Sequence, residues 1–364
     1  MDPIPPEAAP EPVAERATFT GDGREYFQIW IVNVALSIVT LGIYSAWAKV
    51  RRLQYFYRHT RLAGSSFDYH GDPIAIFKGR VVGAALFLAY TFAGLMHPIA
   101  AIATILGIAL AMPFLLSRSL RFRAHNSSYR GIRFSFKGST ASAYWVFLGL
   151  PLLMVLSLFT LGPFWHQRMK RYQFDNARLG QARFTFGTTV GDFYVTYIAA
   201  GLIAVGVFGL LGALVAFGIG ALAVTTGGAS DPDFGTNPAA QAAAVTIGLV
   251  VFAIYFVGVV ALQAFTAARL RNIVWNHTTL GSRRFVSTVR AGSLLWLMVT
   301  NLVATIATVG LFWPFAQVRL ARYYAGTFEM VGPPAFDDVI AGDAGEEQAV
   351  GEEVAEFFDF DIAF

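Results

Sequence analysis

The sequence has no cysteine and little charge. The absence of cysteine among 364 residues excludes disulfides, thiolate metal ligands and cysteine nucleophiles. Only 14% of the residues are charged, whereas soluble domains have about 25%. Residues 81–117, 193–230 and 234–268 contain no Asp, Glu, Lys or Arg, and each block exceeds the roughly 20 residues that cross a bilayer as a helix. The composition predicts a multi-pass membrane protein of the all-α class.

Sequence signatures of catalysis are missing as well. There is no nucleophile elbow GxSxG, no phosphate-binding GxxxxGK[ST] and no pair of carboxylates within an apolar block. His59, His125 and His277 each precede a glycine, a position typical of helix caps rather than of a metal site. No soluble basic domain of the kind that binds nucleic acid is visible. We therefore predict no enzyme, no catalytic or metal-binding residue, no cofactor and no nucleic-acid partner.

The positive charge that is present is concentrated. Most of the 27 Lys and Arg residues lie in four clusters, residues 49–80, 118–137, 168–183 and 269–290. The connector around Pro98 and the connector that begins at Thr225 contain neither Lys nor Arg. By the positive-inside rule, the clusters are predicted to face the cytoplasm and the two connectors the opposite side.

Three further apolar segments end in Thr-Leu-Gly or Thr-Val-Gly, with glycines at positions 42, 162 and 310. If each of these segments crossed the membrane once, two of the basic clusters would lie outside, against the charge rule. We therefore predict four full spans plus three re-entrant or kinked segments. Seven ordinary spans are the alternative.

Aligning the three glycines indicates about two and a half internal repeats. The predicted parts are a disordered N-terminal tail (1–17), repeat 1 (18–137), repeat 2 (138–290), a truncated repeat 3 (291–335) and an acidic disordered tail (336–364). Each basic cluster ends in a glycine turn followed by alternating aromatic residues, as in RFSFKG and ARFTFG. This alternation predicts short cytoplasmic β-hairpin-like strands.

Three stretches carry a resemblance to a known family: EYFQIWIVNVALSIVTLGIYSAWAKVRR, YFYRHTRLAGSSFDYHGDPIAIFKGR and TLGPFWHQRMKRYQFDNARLG. In these stretches the sequence resembles the YjgN-like family of bacterial inner-membrane proteins, a family of unknown function. The resemblance covers roughly residues 18–330. It implies a multi-pass protein of the bacterial inner membrane and supplies no activity and no site residues.

Candidate binding residues come from the clusters and from polar residues in apolar surroundings. Arginines beside aromatic residues suit anionic lipid headgroups, although the same charges are expected if they only fix orientation. Asn33 and Asn301 would line a polar path or form hydrogen bonds between helices. The candidate anion or lipid sites are Arg51, Arg52, Arg121, Arg171, Arg271 and Arg319.

Two functions remain open from the sequence. The repeats favour a transport or channel-like protein for a small or anionic solute. The absence of Asp and Glu from the predicted spans favours a non-transporting protein that binds anionic lipid headgroups or scaffolds envelope partners. The expected partners are membrane lipids, predominantly anionic. The tail from Phe336, with ten Asp or Glu and no Lys or Arg, is predicted to fold over the arginine clusters.

Overall fold

The computed structural model describes residues 12–226 and 237–333. The acidic tail and most of the connector after Thr225 lie outside these residues. The helices are α1 Gly23–Val39, α2 Ser45–His59, α3 Pro73–Met96, α4 Pro98–Asn126, α5 Thr140–Tyr144, a π-helical turn Trp145–Gly149, α6 Leu150–Leu156, α7 Gly162–Asp175, α8 Val190–Thr226, α9 Pro238–Asn276, α10 Ala291–Ala307 and α11 Trp313–Gly326.

The predicted all-α class is wrong, because the short strands join into a single antiparallel sheet of eleven strands. A lone hairpin leaves both of its backbone edges unpaired, and pairing with the next hairpin satisfies them. The strands are β1 Val13–Arg16, β2 Thr18–Phe19, β3 Thr60–Leu62, β4 Ser65–Tyr69, β5 Ser127–Tyr129, β6 Ile132–Phe136, β7 Ala177–Leu179, β8 Ala182–Phe186, β9 Thr278–Leu280, β10 Arg283–Ser287 and β11 Phe328–Gly332.

The first strands close the sheet into a ring. β1 pairs with β11, and β2, which follows after one residue, pairs with β3. Between them, the Ala17 backbone N–H donates to the Phe328 carbonyl at 2.8 Å. The predicted disordered N-terminal tail therefore needs correction, since Val13–Arg16 are part of the sheet.

Aromatic side chains fill the inner face of this ring. Alternate residues of each strand point inward, so the aromatic residues of the five-residue strands, except Tyr69, lie in one core. Phe184 stacks on Phe134 and Phe285 with ring centroids 6.3 and 6.2 Å apart, and Phe285 stacks on Phe328 at 5.5 Å. Burial of each ring contributes about 1.5–3 kcal/mol. The alternating aromatic pattern thus specifies a shared core for the ring.

The helices form five pairs among the described residues, and each pair begins and ends at neighbouring strands of the ring. The first pair (α1 and α2) connects β2 to β3, the second (α3 and α4) connects β4 to β5, and the third (α5 to α7) connects β6 to β7. The fourth (α8 and α9) connects β8 to β9, and the fifth (α10 and α11) connects β10 to β11. Every pair therefore leaves the sheet and returns to it.

The pairs differ in length. In the part of the chain that the structure describes, four helices are long and apolar enough to cross a membrane, and they belong to the second and fourth pairs: Pro73–Met96, Pro98–Asn126, Val190–Ala221 and Pro238–Asn276. The first, third and fifth pairs are short. Helix α1, with 17 residues, is only about 25 Å long, less than the roughly 30 Å of a bilayer core. Seven ordinary crossings would place paired strands on opposite sides of the membrane, so the single sheet excludes that alternative.

The short pairs turn back through one recurring backbone motif. In the first pair, Leu41 and Gly42 have left-handed φ values of 50° and 89°, and in the fifth pair Val309 and Gly310 have 51° and 90°. The hydroxyl of Thr40 accepts a bond from the Tyr44 N–H, and that of Thr308 accepts one from the Phe312 N–H, both at 2.9 Å. Glycine suits this turn because it adopts left-handed φ without strain.

The third pair makes the same turn three residues earlier than the sequence alignment predicts. Here Leu158 and Phe159 have the left-handed φ values, 52° and 65°, and the Ser157 hydroxyl accepts from the Leu161 N–H at 3.2 Å. Phe159, and not Gly162, is therefore the structural equivalent of Gly42 and Gly310. The starts of the following helices support this register. The helix begins three residues after the second left-handed residue in every short pair, at Ser45, Gly162 and Trp313.

Candidate functional site

The best-supported candidate site is a cavity of about 430 Å³ inside the first pair, which we call the Asn33 cavity. Helical spacing aligns polar residues of α1 and α2 along the facing sides, with Asn33 and Ser37 on α1 and Lys49 and Arg52 on α2. Arg80 reaches the cavity from α3, where its Nη1 donates to the Ser45 hydroxyl. The complete lining is Tyr26, Trp30, Asn33, Val34, Ser37, Ile38, Ser45, Ala48, Lys49, Arg52 and Arg80.

The cavity has a strongly positive lining. Lys49, Arg52 and Arg80 contribute cationic groups, and no Asp or Glu is among the described residues around it. Lys49 is only 6% exposed. Cations in a partly buried site interact with an anion more strongly than cations in bulk water, because screening and the local dielectric constant are lower. The arrangement is suited to an oxyanion such as a phosphate.

Asn33 lies in this lining with an unused hydrogen-bond acceptor. The residue is 6% exposed, and no described residue donates to its Oδ1 atom. A buried polar atom without a partner costs about 1–3 kcal/mol. Asn33 therefore contributes to the wall of the cavity, while its Oδ1 atom itself is buried.

The surroundings of the Asn33 cavity differ at the two ends of the first pair. The turn at the far end of the pair is apolar and exposed, with Leu41 94% exposed, so it is suited to the hydrocarbon region. The near end joins the ring of strands. Trp30 lines the cavity and Trp47 stacks on Tyr44 at 6.2 Å, as expected for aromatic residues at a membrane interface.

In the fifth pair, the asparagine equivalent to Asn33 is hydrogen-bonded to other residues of the pair. Asn301 lies nine residues before Gly310, as Asn33 lies nine before Gly42. Its Oδ1 accepts from Arg319 Nη1 at 2.6 Å, and Arg319 Nη2 donates to the Thr300 hydroxyl at 3.3 Å. The Asn301 amide donates to the Ala316 carbonyl at 3.3 Å. Two of the predicted residues, Asn301 and Arg319, therefore form one hydrogen-bonded cluster.

The other predicted arginines do not converge. Arg51 is exposed beside the Tyr44 ring, 5.7 Å from its centroid, and Arg121 donates to the Gly138 carbonyl at 2.9 Å. Arg171 lies 3.8 Å from Asp175, and Arg271 lies over the Tyr324 ring at 4.2 Å. Among the six predicted arginines, Arg52 alone lines the Asn33 cavity.

The corrected turn register also changes which arginines are equivalent. Counting nine residues from each left-handed position gives Arg51, Arg168 and Arg319, so Arg168 takes the place predicted for Arg171. Arg168 lies over the Phe164 ring at 5.0 Å, much as Arg51 lies beside Tyr44. Counting from Gly162 assigned the wrong arginine in the third pair, because the turn lies three residues earlier, at Phe159.

Sequence reasoning missed Lys49, Ser45 and Arg80. A helical-face interpretation of α2 could have found the first two, since Ser45, Lys49 and Arg52 are spaced by four and three residues on one face. That spacing also separates Arg52 from its neighbour Arg51, which lies on another face. Arg80 belongs to the next helix pair, and its arrival at the cavity depends on how α2 and α3 pack.

Comparison with known proteins supports the resemblance found in the sequence. A family model described as a bacterial protein of unknown function (DUF898) matches residues 14–357. A protein named inner membrane protein YjgN from Salmonella typhimurium strain LT2 is 25% identical over 368 residues, covering 86% of this chain and 88% of its own. The protein of the same name from Escherichia coli K12 is 33% identical over 149 residues, covering 39% of this chain and 36% of its own. No solved structure matches.

Proposed function

From the premise that the chain belongs to the DUF898 family of bacterial proteins, we propose that it is an inner-membrane protein that binds the phosphate of an anionic phospholipid in the Asn33 cavity. The observation that carries this proposal is the lining of the cavity, which has three cations and no carboxylate among its described residues. The proposed role is binding without catalysis.

The energetics favour a lipid ligand at this position. Hydrogen bonds from cations to phosphate oxygens are charge-assisted and contribute about 1.5–3 kcal/mol each. A basic residue near an anionic membrane surface gains about 1 kcal/mol. The exposed apolar turn beyond the cavity provides a surface for acyl chains, while Lys49, Arg52 and Arg80 lie on the headgroup side. The same geometry would leave a free phosphate without apolar contacts.

Binding of phosphatidylglycerol to the full-length protein in neutral detergent, measured by native mass spectrometry, tests the proposal. We expect Arg52→Gln and Arg80→Gln each to weaken binding about tenfold, the loss of one charge-assisted hydrogen bond. Arg51→Gln is the matched control, because Arg51 is adjacent in sequence and lies outside the cavity. Its binding should change less than twofold. Equal weakening by all three variants would show that only bulk charge matters.

The proposed orientation places the ring of strands in the cytoplasm. It is supported by the basic clusters, which lie on the hairpins and at the helix ends that join them. Because the chain has no cysteine, single cysteines at Ser66 and Ser282 on the strand hairpins report orientation directly. In intact cells they should resist a membrane-impermeant thiol reagent, whereas a cysteine at Met96, at the far end of the second pair, should react. Labelling of the cysteine at position 66 or 282 in intact cells would contradict the proposed orientation and place the hairpins outside the cytoplasm.

Transport of a small anion is the second candidate function, and one feature favours it. Arg52 also lines a second cavity of about 280 Å³ between α2 and α11, together with Phe67 of the sheet core and Gln317. An anion released from the Asn33 cavity would meet the same guanidinium there. Uptake of phosphate into proteoliposomes, compared with protein-free vesicles, separates the two functions. Lipid binding predicts no uptake above the protein-free rate.

A further inference from the structure

We infer that the acidic C-terminal segment, residues 336–364, docks on the outer face of the eleven-stranded sheet. This face lies opposite the aromatic core. It carries five arginines, which we call the outer arginines: Arg61, Arg133, Arg178, Arg183 and Arg284. The outer face is separate from the Asn33 cavity, which lies among helices.

Strand alternation places the outer arginines on one face of the sheet. Each of them is next to a residue of the buried core, as Arg61 is to Leu62 and Arg183 is to Phe184. Successive side chains of a strand point to opposite faces, so the arginines point away from that core. Four of the five are exposed, and Arg178 is half-buried. The outer face is therefore positively charged and open to solvent.

The strand register places no carboxylate directly opposite an outer arginine in the described pairings. The uncharged residues opposite them are Thr18, Ser66, Ser128, Ser135, Thr279 and Val331. Arg178 and Arg183 stand opposite each other, and like charges at such positions are destabilising. An anionic segment that crosses several strands would relieve this repulsion.

A cavity of about 690 Å³ opens on the outer face between the first two hairpins. Its lining includes Arg61, Ser66, Ser128 and Arg133. Asp68 also lines it, but this carboxylate lies 2.8 Å from Arg58 of α2. Arg133 lies 2.9 Å from the His125 ring nitrogen, a contact that does not neutralise its charge. The cavity is thus a polar, positively charged depression within the docking face.

The acidic segment matches this face in charge and in position. It contains ten Asp or Glu and no Lys or Arg. The described chain ends at residue 333, directly after β11, and β11 pairs with β10, which carries Arg284. The remaining 31 residues (364 minus 333) can extend about 100 Å. The segment therefore starts beside the outer arginines and can reach all of them, and the tether keeps its local concentration high.

The composition of the segment favours arginine as its partner. It ends in EFFDFDIAF, which alternates carboxylates with phenylalanines. Arginine both pairs with carboxylates through two hydrogen bonds and stacks on aromatic rings, which lysine does less well. The helices lie on the other side of the sheet, as shown by Trp275 of α9, whose ring lies 5.4 Å from that of Phe285. This position favours the acidic segment over a lipid surface as the occupant.

Photo-cross-linking within the full-length protein in neutral detergent tests the docking. Phe358→benzoylphenylalanine places a photoreactive group in the acidic segment, and mass spectrometry of the digested protein maps its contacts. We expect cross-links to the outer face, including β7 and β8. Arg178→Gln/Arg183→Gln should lower their yield about fivefold to tenfold, as expected for two exposed ion pairs. Raising the salt from about 0.1 M to about 1 M should act in the same direction, because the screening length falls from about 10 Å to about 3 Å.

The matched control is Arg51→Gln/Arg269→Gln, which removes the same charge from exposed helix positions and should leave the yield unchanged. Equal losses in both double variants would overturn the docking and assign the attraction to net charge. Cross-links to the helices alone, or cross-links between two chains seen as a dimer on a denaturing gel, would also overturn it. The map of the wild-type contacts needs no arginine variant, so it holds even if the variants fold poorly.

Discussion

The first and fifth helix pairs have the same turn and an asparagine at the same distance before it, but the asparagine has different contacts in the two pairs. In the fifth pair, Arg319 donates to the Asn301 side-chain oxygen, and the Asn301 amide donates to the Ala316 carbonyl. In the first pair, Asn33 faces a cavity lined by cations. The comparison teaches that one sequence pattern can form a hydrogen-bonded cluster in one copy and part of a cavity wall in another. The two pairs differ in the equivalent arginine: Arg319 donates to Asn301, whereas Arg51 lies beside the Tyr44 ring.

The largest expected effect on stability comes from replacing Arg319, which donates to Asn301 in the fifth pair. Arg319→Ala should lower the free energy of unfolding by about 1.5–3 kcal/mol, because it leaves half-buried Asn301 without its charged donor. The equivalent Arg51→Ala should change it by less than about 0.5 kcal/mol, since Arg51 is exposed. Denaturant unfolding in detergent, followed by circular dichroism, measures both. Similar losses would remove the distinction between the two pairs.

A smaller effect is expected at the turns. Gly42 has a φ of 89° and open space where a Cβ would lie, so Gly42→Ala should cost about 1 kcal/mol through backbone strain alone. Phe159 already carries that strain at a φ of 65°. Phe159→Gly should therefore raise the thermal unfolding midpoint, and a fall would show that the Phe159 ring contributes more than the strain costs.

The smallest effect concerns how the first pair is fixed to its strands. Arg58 at the end of α2 donates to Asp68 of β4 at 2.8 Å. Burial alone would raise the pKa of Asp68, but the Arg58 guanidinium and the Tyr69 backbone N–H outweigh it, so the pKa of Asp68 is lowered. A lowered pKa means that the stabilisation is present above the unfolded value of about 3.9 and is lost as the pH falls below it.

The corresponding variant is Asp68→Asn. At pH 7 it should lower the free energy of unfolding by less than about 1 kcal/mol, as is typical of a partly exposed ion pair. The difference from the wild-type protein should shrink below about pH 4. Urea titrations at pH 7 and pH 3.5 provide the measurement. A difference that stays constant with pH would assign the effect to side-chain packing instead of charge.

Local patterns accounted for much of the membrane part of the molecule. The apolar blocks identified the segments of the second and fourth pairs, because a length of uncharged residues directly sets what can cross a bilayer. The glycines correctly located two of the three turns, at Gly42 and Gly310, since glycine enters the left-handed region without strain. The same rule misplaced the third turn, where Phe159 accepts the strained conformation and Gly162 begins the next helix.

Local patterns could not give the sheet or the complete cavity. The aromatic alternation in RFSFKG and ARFTFG predicts a strand, but the partners of that strand lie far away in the chain, as β1 and β11 do. Arg80 likewise reaches the cavity from a different helix pair. Pairing over such distances depends on backbone edges and on packing, which no short window of sequence contains.

The sequence by itself determined that this is a membrane protein with long apolar spans, short segments that turn back, and positive charge gathered at one end. These properties depend on composition and on neighbours within a few turns of helix. Only the tertiary structure decided that the strands form one eleven-stranded sheet, that Asn33 lines a cavity with cations, and that Asn301 is hydrogen-bonded to Arg319. Those outcomes depend on contacts between residues that are far apart in the sequence, which no local pattern of residues specifies.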